Sequence, residues 1–296
     1  MSVEVFDPHE AIVGSFTVRR VLPRRTLRTV GAWCFADQMG PAEVTETSGL
    51  DVGPHPHMGL QTVTWLMQGT ALHKDSLGSE QLISPGQLNL MTAGHGIVHA
   101  EEATRSYRGT LHGVQLWVAQ PEGERDGPAA FEHHAELPAV DSAVGTFTVL
   151  AGSFAGAQSP AGFAPGLLGV DAVLHAGRSD WPLRTDFEHA AIALDGEVLV
   201  GDAVVRPGQL AHLGTGRSEV SVEARDRARL LLLGGLPFTE PLVMWWNFVG
   251  RSRDEIVSAQ RQWLDGDGRF GDVPSRLARI PAPDLLWRSS SGAGPA

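Results

Sequence analysis

The sequence predicts an all-β fold in two similar units, each a sandwich or barrel, with one short helix near the end. Three observations carry this. Short runs rich in β-branched and aromatic residues recur every ~8–12 residues with turn residues between them, as in antiparallel sandwiches and barrels. The chain's 35 glycines and 19 prolines favour many turns over long helices. The second half also repeats the first. Residues 62–69 lie over 189–196, Pro85-Gly86-Gln87-Leu88 recurs as Pro207-Gly208-Gln209-Leu210, and Gly94 falls on Gly216. A length of 296 residues suits two units.

Taken in order, Arg19-Arg20 and Arg24-Arg25 read as a solvated basic edge. Residues 30–35 read as a buried strand, and 62–67, β-branched and aromatic, as another. After a turn at Gln68-Gly69 an alternating strand covers 70–74, followed by a loop over 75–79, a short strand at 81–83 and a turn at 84–86. Strands follow at 88–91, 97–101 and 111–119, the first two separated by the tight turn Gly94-His95-Gly96. The stretch 120–138 is polar and turn-rich, with the linker placed near its end, which divides the chain into units 1–135 and 136–285. Strands resume at 146–150, 170–175, 190–194, 198–200 and 230–233. Ser252-Arg253-Asp254-Glu255 is a capping box. Ile256, Ala259, Gln260 and Trp263 then recur at helical spacing until Gly266. Residues 286–296 read as a flexible tail.

The composition, 42% hydrophobic and 19% charged, is that of an ordinary globular chain. A net charge of −11 argues against direct binding to nucleic acid and against a cationic membrane-surface role. No apolar run approaches a transmembrane length. The opening Met1-Ser2-Val3-Glu4-Val5 lacks the basic start and apolar segment of a secretory signal. Cys34 is the lone cysteine, which excludes an intrachain disulfide. A cytoplasmic location is expected.

The chemistry concentrates in residues 54–102. His55-Pro56-His57 and His99-Ala100-Glu101 each place ligand-type residues at i, i+2, on one face of an extended strand. Three imidazoles and one carboxylate suit a divalent first-row metal: iron, copper, nickel or manganese, with zinc also compatible. The absence of thiolate ligands argues against a structural zinc cluster. Pro56 cannot donate a ladder hydrogen bond, so this strand belongs at an edge or rim. Four protein ligands leave one or two positions for water, dioxygen or a chelating substrate. In the repeat, His55 falls on Pro182, His57 on Arg184, His99 on Ser221 and Glu101 on Glu223, so one metal per chain is expected. His95, His112 and His175, taken singly, read as hydrogen-bonded residues without a ligand role.

The run His55-Pro56-His57-Met58-Gly59, with His73-Lys74-Asp75-Ser76-Leu77-Gly78, Met91-Thr92-Ala93-Gly94, Ile97-Val98-His99-Ala100-Glu101 and Gln115-Leu116-Trp117-Val118, resembles the pirin family. A weaker likeness around Glu240-Pro241-Leu242-Val243 extends it over most of the chain. The resemblance implies a bicupin: two cupin-type antiparallel β-barrels packed together, with metal in the N-terminal one. It implies iron(II), held by His55, His57, His99 and Glu101. It also implies quercetin 2,3-dioxygenase activity on a flavonol or similar chelating aromatic, with O2 as co-substrate and Glu101 as the general base. The alternative reading is a metal- or redox-dependent regulator that binds a partner protein; a third is a metal-stabilised barrel whose chemistry has lapsed. The outer nitrogens of the histidines need partners, Gln115 among the candidates. Three departures from the family pattern stand out. Met58 stands where Arg is usual, Leu60-Gln61 where Phe-Glu is usual, and His95 replaces an Arg. These positions are expected to alter the charge and shape of the site entrance.

Overall fold

The structure is a computed structural model that describes residues 2–14, 16–46, 48–285 and 287. It forms two barrels of one design, the bicupin expected above. In the first, a seven-stranded antiparallel sheet runs in spatial order Ala130–His134, Leu88–Thr92, Leu60–Gln68, Gly109–Ala119, Trp33–Val44, Phe16–Leu22 and His9–Val13. A four-stranded sheet packs against it in the order Val52–His57, Ile97–Glu102, Ala71–Asp75 and Glu80–Ile83. The second barrel repeats this strand for strand. Its larger sheet is Glu4–Phe6, Leu210–Gly214, Glu188–Asp195, Ala228–Gly235, Leu167–Leu174, Gly145–Ala151 and Ala139–Ser142. Its smaller sheet is Gly177–Pro182, Glu219–Ala224, Val198–Val200 and Ala203–Val205.

The continuous apolar runs arise because the larger sheets are buried on both faces. Leu230 and Leu232 point into the second barrel, while Leu231 and Leu233 join Val63, Trp65, Val114 and Leu116 of the first in a shared core between barrels. Polar contacts fix the docking. Trp65 Nε1 donates to Asp171 Oδ2 at 3.0 Å, and Trp33 Nε1 to the Leu168 carbonyl at 2.9 Å. Gln38 Nε2 lies 2.8 Å from His112 Nε2 and donates to the Leu194 carbonyl at 2.7 Å.

Several sequence expectations need correction. The strand placed at 30–35 begins at Trp33 and runs on to Val44; Val30 only bridges back to Trp33 around a turn. Within the turn-rich stretch 120–138, Ala130–His134 forms a strand that the sequence did not indicate, beside Leu88–Thr92. The first ligand pair was also misaligned in the repeat. His99 pairs with His55 and Ile97 with His57, whereas Ser221 pairs with Asp180 and Glu219 with Pro182. With Ser221 set on His99, His55 and His57 correspond to Asp180 and Pro182, not to Pro182 and Arg184. The physical reason is a longer loop: residues 183–187 follow Pro182, where only 58–59 follow His57.

Both ends of the chain cross between the barrels, which the division into 1–135 and 136–285 does not follow. Glu4–Phe6 completes the edge of the second barrel beside Leu210–Gly214. The segment after the second barrel returns to the first. Phe248 bridges Met58, the Phe270 carbonyl accepts from Val98 N at 3.0 Å, and Ile280 N donates to the Pro54 carbonyl at 2.8 Å. Its helix, Arg253–Asp265, is capped by Ser252, which accepts from Glu255 N, and ends on Gly266 in the left-handed region at φ 68°. The reciprocal bond of the capping box falls one residue early: Glu255 Oε2 takes the Arg251 N–H at 3.1 Å. Ile256, Ala259 and Trp263 are its buried face. Apart from Trp287, the tail 286–296 lies outside the described residues.

The packing between barrels carries a pH dependence. Burial, assisted by the Arg229 charge, pushes His112 down to about 4. An unfolded histidine takes a proton below about pH 6.5, so His112 contributes stability that is complete above that value and is lost as pH falls toward 4. His112→Gln is expected to shrink the difference in unfolding free energy between pH 7 and pH 5 by on the order of 1 kcal/mol relative to the wild type. Urea titrations at the two pH values measure it, and an unchanged difference contradicts the assignment.

Candidate metal centre

Three neighbouring strands of the smaller sheet in the first barrel each present an i, i+2 pair of polar side chains: His55 and His57, His99 and Glu101, His73 and Asp75. All six residues are buried. The ladder sets their positions, with His99 opposite His55 on one side and Asp75 on the other, and Glu101 opposite His73.

His55, His57 and His99 converge. Each offers a ring nitrogen, and these nitrogens lie within 4.8 Å of one another. The rings are 4.3 to 5.0 Å apart between centroids. Among the described residues this is the one group of three or more His, Cys, Asp or Glu side chains able to hold a metal. The Glu101 carboxylate, expected as the fourth ligand, does not join it. Between His99 and Glu101 the ladder slips, so that Glu101 faces Val52 and the bulge falls at Gly53-Pro54. The extra residue lies in the partner strand, before His55; against Ala71–Asp75 the pair His99 and Glu101 stays in regular register, and Glu101 borders the same cavity as the imidazoles.

The electrostatics favour a bound cation. Burial pushes His55 down to about 4, and burial together with the neighbouring rings holds His57 and His99 well below the ordinary imidazole value. All three are neutral near pH 7, the protonation state a metal ligand needs. Burial pushes the Glu101 carboxyl up to about 7. Two ring nitrogens, His57 Nδ1 and His99 Nε2, are buried with no hydrogen-bond partner among the described residues. Other buried side-chain atoms share this state, His189 of the second barrel among them, but only these two belong to a group of converging imidazoles. The donor set therefore fits a divalent metal.

Two of the other nitrogens, His55 Nδ1 and His99 Nδ1, have partners the sequence did not indicate. Gln115 is not among them; it accepts from Thr64 Oγ1 at 2.9 Å. His55 Nδ1 lies 2.8 Å from the Gly53 carbonyl. His99 Nδ1 lies 3.4 Å from His73 Nδ1, and His73 Nε2 lies 2.9 Å from Asp75 Oδ2. Asp75 Oδ1 accepts the backbone N–H groups of Leu77 and Ser79 at 2.9 and 3.0 Å. Burial raises the Asp75 carboxyl, but its bonds to His73 and Ser79 outweigh that and place it below the usual carboxylate value. The signal for this third pair was present in His73-Lys74-Asp75, which has the same i, i+2 spacing as the other two.

The three imidazoles and Glu101 open into a cavity of about 490 Å³. Its walls include the stacked pair Phe35 and Trp117, 4.0 Å apart, with Trp245, Trp246 and Asn247 from the returning C-terminal segment. Arg20 is part of this wall and not a solvated edge. It lies over Phe35 at 4.4 Å and makes two 2.7 Å bonds to Asp37. Met58, Leu60, Gln61 and His95 do not line the cavity, contrary to expectation. Met58 and Leu60 are packed in apolar clusters, and Gln61 bonds Thr92 Oγ1 and the Gly162 carbonyl. Of the three isolated histidines, His112 is the hydrogen-bonded core residue expected, while His95 and His175 are exposed.

Comparison with known proteins agrees with this geometry. Residues 15–118 match the Pirin family profile and residues 169–271 that of the Pirin C-terminal cupin domain. A Pseudomonas aeruginosa protein named "Putative quercetin 2,3-dioxygenase" is 48% identical over 94% of this chain and 88% of its own length. A pirin-like protein of Caulobacter vibrioides is 36% identical over 95% of this chain and 99% of its own. The crystal structure of a quercetin 2,3-dioxygenase from Acinetobacter baumannii superposes with a TM-score of 0.94 at 42% identity, covering 97% of both chains. A bacterial pirin of Escherichia coli, solved with nickel(II), shares the fold at a TM-score of 0.64 and 17% identity, over 80% of this chain and all of that one. With both halves matched by the family's own domains and a relative aligned along nearly the whole chain, this protein is a member of the pirin family.

Proposed function

We propose that this chain is a metal-dependent dioxygenase of the quercetin 2,3-dioxygenase type, acting on a flavonol or similarly chelating aromatic with O2. The observation that carries the reading is the group of three buried, neutral imidazoles, two with an unpartnered ring nitrogen, at the base of an aromatic-walled cavity. His55, His57 and His99 would hold a divalent metal, with iron(II) the first candidate and Glu101 the fourth ligand. When bound, the metal supplies Lewis-acid activation of a chelating hydroxyl and a site for oxygen chemistry.

The protein's own groups have separable tasks. Phe35 and Trp117 stack on each other in one wall, with Arg20 over Phe35, and Trp245 and Trp246 line the cavity from the C-terminal segment, so an aromatic substrate meets a largely aromatic lining. Burial leaves Glu101 with a proton affinity near neutrality, suited to accepting the proton of a substrate hydroxyl. A cavity of about 490 Å³ has the size of a small-molecule site. The likeness to the Acinetobacter quercetin 2,3-dioxygenase along the whole chain supports the same reading.

The direct trial loads the protein with iron(II) anaerobically and then adds quercetin and air. Oxygen uptake matched to loss of flavonol absorbance is expected, and the absence of both sinks the proposal. Glu101→Gln is expected to retain metal while lowering turnover by roughly 100-fold or more, the usual scale for a lost general base. Metal content and rate measured on the same sample separate the two effects. Stripping the metal with a chelator is expected to lower the melting temperature, because metal binds only the folded ligand set. His57→Ala should remove that metal-dependent difference.

A further inference from the structure

We infer that Asp75 and His73 form a positioning relay that sets the tautomer of His99 and so controls metal affinity; this rests on the metal-site reading above. The argument is one of hydrogen-bond polarity along three side chains. A carboxylate can only accept, so at 2.9 Å Asp75 Oδ2 requires the proton of His73 on Nε2. The relay requires the singly protonated ring, in which Nε2–H leaves a lone pair on Nδ1. That atom faces His99 Nδ1 at 3.4 Å, so His99 is the donor and keeps its proton on Nδ1. The lone pair of His99 is thereby assigned to Nε2, the buried ring nitrogen that lacks a protein partner. Polarity set at Asp75 thus ends at the atom that would bind metal.

Each member of the relay is itself held. Asp75 Oδ1 is occupied by the N–H groups of Leu77 and Ser79, which leaves Oδ2 aimed at His73. The His73 ring stacks on Phe131 at 4.4 Å and 12°, which fixes its plane. The second barrel lacks the relay as well as the imidazoles. By the pairing of its strands, Leu199 stands at the position of His73, opposite Glu223 as His73 is opposite Glu101.

Asp75→Asn is the informative substitution. Its Oδ1 still accepts from Leu77 and Ser79, so its NH2 group must face His73. His73 would then carry its proton on Nδ1 and donate to His99, forcing the His99 proton onto Nε2. The side chain's shape is conserved while the polarity of the relay is reversed. His73→Phe keeps the stack on Phe131 and removes the acceptor, leaving the tautomer of His99 unset.

The test is a chelator competition that measures the dissociation constant for cobalt(II) in the wild type, Asp75→Asn, His73→Phe and the double variant, together with metal-free melting temperatures. The wild type should bind one equivalent. Asp75→Asn should weaken binding by roughly 10- to 100-fold, the scale seen for partners of metal-bound histidines. His73→Phe should also weaken it. In the double variant the Asp75→Asn change should have no further effect, since Asp75 acts only through His73. Wild-type affinity in Asp75→Asn, or two losses that add in the double variant, overturns the relay and leaves the metal site standing. Failure of the wild type to bind metal overturns both. If Asp75→Asn does not fold, His73→Phe decides: wild-type affinity there overturns the relay, and weakened affinity with an unchanged metal-free melting temperature supports it.

Discussion

Three imidazoles buried side by side cannot all be charged, and their ring nitrogens cannot all be satisfied by one another. That constraint organises the first barrel. Desolvation keeps His55, His57 and His99 neutral, and their neighbours dispose of some of the ring N–H groups: His55 meets Gly53 and His99 meets His73. What remains is a set of inward lone pairs with no protein donor to meet them, a state that a cation relieves. A barrel interior supplies the geometry cheaply, because each strand returns every second side chain to the same face and neighbouring strands bring those faces side by side.

The second barrel shows what the same architecture does without that constraint. Its interior is filled by Phe147, Trp181, Val198, Val222 and Leu232, an apolar core in place of a polar cavity. Asp180, Pro182, Leu199 and Ser221 stand where the first barrel has His55, His57, His73 and His99. Part of the first barrel's interior is given over to ligands and cavity, so apolar burial must be found elsewhere. The core shared between barrels provides it, along with the cluster that the C-terminal segment forms on Met58 and Val98. The barrel with the closed core is in this sense the scaffold of the barrel with the open one.

Much of this was legible from local signals. Strand positions followed from β-branched runs, the helix from Ser252 and Gly266, and the repeat from Pro-Gly-Gln-Leu and its spacing. What escaped was non-local. No local pattern tells Glu4–Phe6 to complete the far barrel, since an edge strand of three residues has no periodicity to read. The polar strand Ala130–His134 was hidden because it is an edge strand with little burial, paired along one side only with Leu88–Thr92. His73 and Asp75 carried the same spacing as the recognised ligands, but proximity to His99 depends on strand order, which spacing does not encode. The bulge at Gly53-Pro54 likewise moves the cross-strand partner of Glu101 to Val52, a ladder slip that two i, i+2 pairs cannot reveal.

The departures at Met58 and His95 look different once the C-terminal segment is in place. Arg269 reaches between them: its guanidinium donates to the His95 carbonyl at 2.8 and 2.9 Å and approaches Met58 Sδ at 3.3 Å. A guanidinium therefore stands beside the positions where the family pattern places arginine, delivered from a distant part of the chain. Neither Met58 nor His95 borders the cavity, so this exchange bears on how the segment is anchored and not on what the cavity admits. The groups that do border it come from both ends of the protein: Arg20, Phe35 and Trp117 from the first barrel, Trp245, Trp246 and Asn247 from the returning segment. The anchor at Arg269 and the wall at Trp245 belong to one stretch of chain. The contacts that hold this segment on the first barrel therefore also hold part of the cavity wall in place.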